Sequence, residues 1–144
     1  MADNRSVTAS IPRPADECWR ALTDATLLGA WLPGLRRATV IARDAQGLAS
    51  EVQFEFSTSR SYSLRYSYDH ELYEVRWEPH LGGRDAVRGY ARFEVDPAYS
   101  DHLHTIMIYR LEQGDARSAV ELELGDPGAI VAAFGAWLTT RPRR

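Results

Sequence analysis

Five tyrosines stand out among the residues that could do chemistry. Tyr62, Tyr66 and Tyr68 share a parity in the run 61–68, and Tyr73 and Tyr109 fall in later alternating runs, so all five can face one interior. A phenol set in an apolar wall can orient a carbonyl group or polarise it by donating a hydrogen bond. With a pKa near ~10 it is a weak acid at neutral pH, suited to holding a substrate and poor at driving a proton transfer alone. Its more common use is to bury the ring and send the hydroxyl to backbone or solvent.

The other reactive types are sparser. His102 and His104 are two apart, which on a strand would put both on one face beside Asp101, but no third ligand stands out and no metal site is assigned. His70, between Asp69 and Glu71, and His80, beside Pro79, read as turn residues. A lone cysteine, Cys18, excludes an intrachain disulfide and a Cys-rich metal site; beside Trp19 in a helical stretch it reads as a small core residue. No Ser/His/Asp spacing, glycine-rich phosphate loop or pair of inward carboxylates is present. Accordingly no catalytic residue, metal or cofactor is assigned.

The elements that must position the tyrosines follow from periodicity. Val7, Ala9 and Ile11 alternate with Ser6, Thr8 and Ser10, predicting a first strand that Pro12 and Pro14 end. Ala15, Cys18, Trp19 and Leu22 recur at helical spacing, and Leu27, Leu28, Trp31 and Leu32 form a second short helix closed by Pro33-Gly34. The period then changes to two. A hairpin is predicted around Asp44-Ala45-Gln46-Gly47, joining Thr39-Val40-Ile41 to Val52, Phe54 and Phe56. Further alternating runs carry Tyr62 to Tyr68, Tyr73 to Trp77, Val87 to Val95, and Leu103 to Leu111. Together they make an antiparallel meander with one apolar face. Residues 120–124 look strand-like, and Asp126 caps a last helix with Ile130, Val131, Phe134, Trp137 and Leu138 on one stripe.

Length and composition bound the rest. The 144 residues are read as a single domain, with 44% hydrophobic and 26% charged residues, ordinary for a globular chain. The net charge of −3 gives no basic surface for nucleic acid, and the tail Arg141-Pro142-Arg143-Arg144 reads as a solvated helix end. No apolar run reaches the ~18 residues that span a bilayer, and no signal-like segment opens the chain, so a cytoplasmic protein without membrane insertion is expected.

Residues 6–24, with their proline-bounded strand, Trp19 helix and Leu22-Thr23-Asp24 ending, resemble the opening of the START-like (SRPBCC) superfamily, which shares the helix-grip fold of the birch pollen allergen. Trp31-Leu32-Pro33 is similar to the helix end of its polyketide cyclase and coenzyme Q-binding branches. The stretch 63–69, followed by Val75-Arg76-Trp77, resembles the middle strands of the polyketide cyclase/dehydrase branch. The likeness runs from about residue 7 to residue 111, with two departures: the extra strand-like run 120–124 and a short final helix. It implies an α+β helix-grip fold, a curved antiparallel sheet of about seven strands around the C-terminal helix, with two short helices between strands 1 and 2. It also implies a lipid, polyketide, sterol or quinone held between sheet and last helix.

A curved sheet of this length is not filled by one helix, so the concave side is expected to keep a pocket, with Gly89 and Ala91 leaving room in it. Its predicted lining is Trp31, Phe54, Phe56, Leu64, Tyr66, Trp77, Ala91, Phe93, Met107 and Phe134. Binding or transport of a small hydrophobic ligand is the leading expectation, ahead of a polyketide aromatase/cyclase and of a chaperone-activator type of interaction module. Ile106 and Ile108 are assigned outward, where they make an apolar patch that suits a two-fold homodimer.

Overall fold

Two prolines decide how the chain enters the molecule. In the computed structural model β1 (Asn4–Ile11) ends at Pro12, and Pro14 precedes helix α1 (Ala15–Thr23), which buries Ala15, Cys18, Trp19 and Ala21. Asp24 then caps a 3-10 turn, Ala25–Leu27, by accepting a hydrogen bond from the Thr26 amide, and the one-turn α2 (Leu28–Trp31) follows. The structure describes residues 4–32, 34–56, 61–79, 88–112 and 127–141, without the side chains of Asn4, Arg5, Phe56, Ser61, Tyr62, Pro79, Leu111, Glu112 and Pro127.

Six further strands complete the sheet: β2 (Leu35–Arg43), β3 (Ala49–Phe56), β4 (Ser61–Asp69), β5 (Glu74–Pro79), β6 (Arg88–Val95) and β7 (Thr105–Glu112). All neighbours are antiparallel, in the order β1-β7-β6-β5-β4-β3-β2, so the first strand closes onto the last and the remainder form the expected meander. Between β2 and β3 the turn at Asp44 is held by its own carboxylate, which accepts from the amides of Gln46 and Leu48. Gly47 there takes φ 85°, a conformation that favours glycine. Register shifts along β2 mark bulges, which bend that edge of the sheet.

The last helix, α3 (Pro127–Thr140), lies across β1 and β7 and buries Ile130, Val131, Phe134 and Leu138. At roughly 1.5–3 kcal/mol per fully buried side chain, those four supply on the order of 10 kcal/mol before the entropic cost of ordering the chain. Ala129, Ala132 and Ala136 occupy its solvent side. The fold is therefore the α+β helix-grip arrangement of a curved seven-stranded sheet, a C-terminal helix and two short helices between β1 and β2.

Some boundaries differ from the periodicity. Tyr73 sits in the turn before β5 at φ 49°, and β7 starts at Thr105, leaving Leu103 exposed in the connection from β6. The strand-like run 120–124, the cap Asp126, His80 and residues 142–144 of the basic tail lie outside the described residues.

Candidate functional site

The sheet's inward face is aromatic because its register aligns rings across strands. Tyr66 opposes Trp77, which also opposes Gly89, and the Phe54 ring lies 6.5 Å from that of Tyr66. These rings, with the two short helices above them, line a partly open cavity of about 70 Å³. Its floor comes from Val52 and Phe54 on β3, Leu64, Tyr66 and Tyr68 on β4, Val75 and Trp77 on β5, and Tyr109 on β7. Its roof is Leu22 and Thr23 at the end of α1, then Ala25, Leu28, Trp31 and Leu32. The wall opposite the sheet is thus built by the short helices. Among the described residues the C-terminal helix does not border the cavity; it backs the roof, where Phe134 meets Trp31 edge-to-face at 5.0 Å.

The predicted lining residues therefore divide. Trp31, Phe54, Leu64, Tyr66 and Trp77 border the cavity. Ala91, Phe93, Met107 and Phe134 are fully packed in the core beside it and do not border it, and the Phe56 side chain lies outside the described residues. Gly89 does not leave a void, as expected, but makes room for a neighbour. A Cβ there would run into the Arg110 carbonyl and lie 3.0 Å from the Trp77 indole. The expected lining missed Leu22, Thr23, Ala25, Leu28 and Leu32, since helix spacing shows which face is apolar and not what that face meets, and it missed Val52, Tyr68, Val75 and Tyr109 on the strands, since alternation shows which residues face inward and not which of them border open space.

The tyrosines have different roles. Tyr68 donates its hydroxyl to the Ala49 carbonyl at 2.6 Å, which ties β4 to the start of β3. Burial, with a smaller contribution from Asp44, raises its pKa. Burial alone raises that of Tyr109, whose ring packs on Trp77 at 5.3 Å. Both stay protonated at neutral pH. Tyr73 packs on Trp19 away from the cavity, and the Tyr62 side chain lies outside the described residues. Trp31 borders the cavity, and its buried indole Nε1 has no hydrogen-bond partner among the described residues.

No described lining residue is acidic, basic, histidine or cysteine. Cys18 is fully buried in the core, and burial pushes its pKa up to about 12, which keeps it a neutral thiol. His102 and His104 lie in the β6–β7 connection, not on a strand; His104 pairs with Asp101 at 3.3 Å and stacks on Tyr99. Among the described residues no group of three metal-binding side chains comes together, and no helix is long and apolar enough to cross a membrane. A wider hollow of about 590 Å³ lies on the opposite, convex face, bordered by Arg65, Arg76, Arg88, Glu51 and Glu78. Those arginines are exposed on the surface, so their charges are screened by solvent.

With the geometry in place, comparison with known proteins agrees in one direction. No curated sequence matches. The aromatase/cyclase Zhui from Streptomyces sp. R1128 superposes with a TM-score of 0.72 at 15% identity, covering 97% of this chain and 93% of that one. A START superfamily protein from Mycobacterium smegmatis gives 0.67 at 16%, covering 96% and 95%. Norcoclaurine synthase from Thalictrum flavum, in complex with dopamine and hydroxybenzaldehyde, gives 0.66 at 15%, covering 100% and 90%. At such identities these likenesses concern the fold. The family model described as polyketide cyclase / dehydrase and lipid transport matches residues 4–137, and the chain belongs to that family.

Proposed function

We propose that this protein binds or carries a small hydrophobic molecule, of lipid, polyketide or quinone-like character, in the cavity between the sheet and the short helices. The observation that carries this reading is the composition of the wall: aromatic and aliphatic on every side, with a few hydroxyl and indole donors and no described group that exchanges a proton near neutral pH. An aromatase/cyclase would need an inward group with a pKa drawn toward neutrality, or donors aimed at a developing oxyanion. Tyr68 and Tyr109 are shifted the other way. The chain also has no lysine to form an imine.

Ligand sites of this kind usually measure about 300–1,000 Å³. At about 70 Å³ the cavity is largely occupied by its own side chains, so a ligand enters by moving them. Native mass spectrometry of gently purified protein should show a copurified neutral mass that is lost on partial denaturation. Incubation with linear poly-β-ketones should yield no cyclised product. A product that disappears with Tyr66→Phe or Tyr109→Phe would establish the enzyme instead. Association through Ile106 and Ile108, both half-buried on the convex face, belongs to the same proposal. Light scattering should then give twice the 16.2 kDa chain mass; a single-chain mass at micromolar concentration rejects it.

A further inference from the structure

The roof of the cavity is attached differently from its floor. Across residues 24–32 the hydrogen bonds run between near neighbours in sequence: Thr26 and Leu27 donate to Asp24, Leu28 to Ala25 and Leu32 to Leu28, and the Leu35 amide donates back to Leu32. Among the described residues none joins residues 25–32 to the strands they face, β3, β4, β5 and β7, or to α3. The chain just before α1 is pinned instead, by Thr105 donating to the Arg13 carbonyl and by Arg13 donating to the end of α3. What holds the roof is burial of Leu28, Trp31 and Leu32, with Trp31 against Phe134. Such contacts are non-directional, so apolar surface brought by a ligand can stand in for them. There is room on both sides of the segment. Its inner side borders the cavity, and on its outer side Asp24 and Leu27 border a groove of about 250 Å³ whose other walls are α1 and the end of α3. On α2, a Cβ added at Gly29 would meet no atom within 4 Å. At either end the backbone leaves the helical region: Asp24 is extended at ψ 98°, and Gly34 takes φ 76°. A few such positions are enough to absorb a hinge rotation.

Resting on the pocket-binding reading above, we infer that residues 25–32 are a lid that lifts from the sheet as one unit, between Asp24 and Gly34, and that this movement is the ligand's way in. The sheet stays fixed throughout. Once inside, an apolar ligand covers Leu28, Trp31 and Leu32 again and holds the lid down.

Thiol labelling of the full chain tests this, because Cys18, fully buried in α1, is an internal standard for opening of the body. Leu28→Cys puts a second thiol on the lid, and Val52→Cys puts one at a fully buried position on β3, across the cavity. The reagent is a fluorescein maleimide, too large for a cavity of about 70 Å³, and each rate is taken relative to that of the same thiol in the urea-unfolded chain. The two introduced thiols should react at equal rates, each at least about tenfold faster than Cys18, as a local opening requires. 1-Aminoanthracene, an uncharged flat dye that brightens in apolar surroundings, should slow both about tenfold when present at about ten times its dissociation constant. Introduced thiols no faster than Cys18 overturn the lid, while a gain in dye fluorescence leaves the pocket standing. A fast thiol in Leu28→Cys with a slow one in Val52→Cys also overturns it, since the segment then frays without lifting, and so does a dye that binds without slowing either. If the dye gains no fluorescence with the unsubstituted chain, the pocket reading falls and the lid falls with it. Should Leu28→Cys fail to fold, Val52→Cys, a change of nearly equal volume, decides alone against Cys18.

Discussion

Glu74 alternates outward on β5, as its neighbours in sequence require, yet its side chain is only 7% exposed. Burial alone would raise its pKa, but hydrogen bonds from Arg92 and Arg76, at 2.8 Å each, outweigh burial and hold the carboxyl below its ordinary 4.5. Arg76 in turn lies 4.9 Å over the Tyr90 ring, so the acid sits under a cover of guanidinium groups. A lowered pKa in the folded state means that stabilisation is present above the ordinary value and is lost as pH falls through the lower one. Glu74→Gln should therefore cost about 2 kcal/mol at pH 7, and the difference should close as pH drops below 4.5. Urea unfolding of both proteins at the two ends of that range checks it. Gly89 makes a second prediction at this scale. Because a Cβ would collide with backbone at Arg110 and press on Trp77, Gly89→Ala should destabilise by about 2 kcal/mol or more, seen as a lower thermal midpoint.

Among the elements, the junction between α1 and α3 depends on Arg13. Its guanidinium donates to the Thr139 and Arg141 carbonyls at the end of α3 and to the Pro12 carbonyl, and it lies 3.6 Å from Glu17 on α1. A cation at a helix C-terminus satisfies carbonyls that have no partner within the helix and opposes the negative end of its dipole. The backbone of Arg13 is also used: its carbonyl accepts from Thr105 at 2.6 Å, which fixes the loop after β1 to the start of β7. Arg13→Met keeps the stem and removes the donors. It should cost roughly 1–3 kcal/mol and raise amide exchange selectively in the last turn of α3, measured by hydrogen–deuterium exchange. Uniform exchange along the chain would mean that Arg13 serves general packing and not the helix end.

For the whole molecule, the key quantity is a cavity of about 70 Å³ in a protein proposed to hold a ligand several times that size. The difference has to come from movement of the roof, Leu22 to Leu32 in sequence, against a sheet fixed by six hydrogen-bonded strand pairs. If only an opened conformer admits the ligand, the observed binding rate should level off as ligand concentration rises. Stopped-flow fluorescence can follow this, since Trp31 and Trp77 border the cavity while Trp19 and Trp137 do not. A rate that climbs linearly without limit would show a site open in advance. Saturating ligand at a hundred times its dissociation constant should also add about 2.7 kcal/mol to stability.

The alternation of Tyr66 and Tyr68 with Arg65 and Ser67, and the stripe of Ile130, Phe134 and Leu138, made the meander and its covering helix legible in the sequence, because period two and period 3.6 each commit one face to the interior. Four of the expected lining residues, Phe54, Leu64, Tyr66 and Trp77, reach the cavity for the same reason: they sit on the inward face of the sheet, while Trp31 reaches it from α2. Which inward residues surround space and which fill it was settled only by the tertiary structure. Ala91, Phe93 and Met107 face inward as Tyr66 does, but the helices cover their strands, α1 over β6 and α3 over β7, with Phe93 packed on Phe134, and so they became solid core. Trp77 reaches its position because β5 happens to lie beside a glycine on β6, a contact between residues with no spacing signal in common. The unmet Nε1 of Trp31 belongs to the same class. A sequence specifies the donor, and only the assembled neighbours decide whether it finds an acceptor.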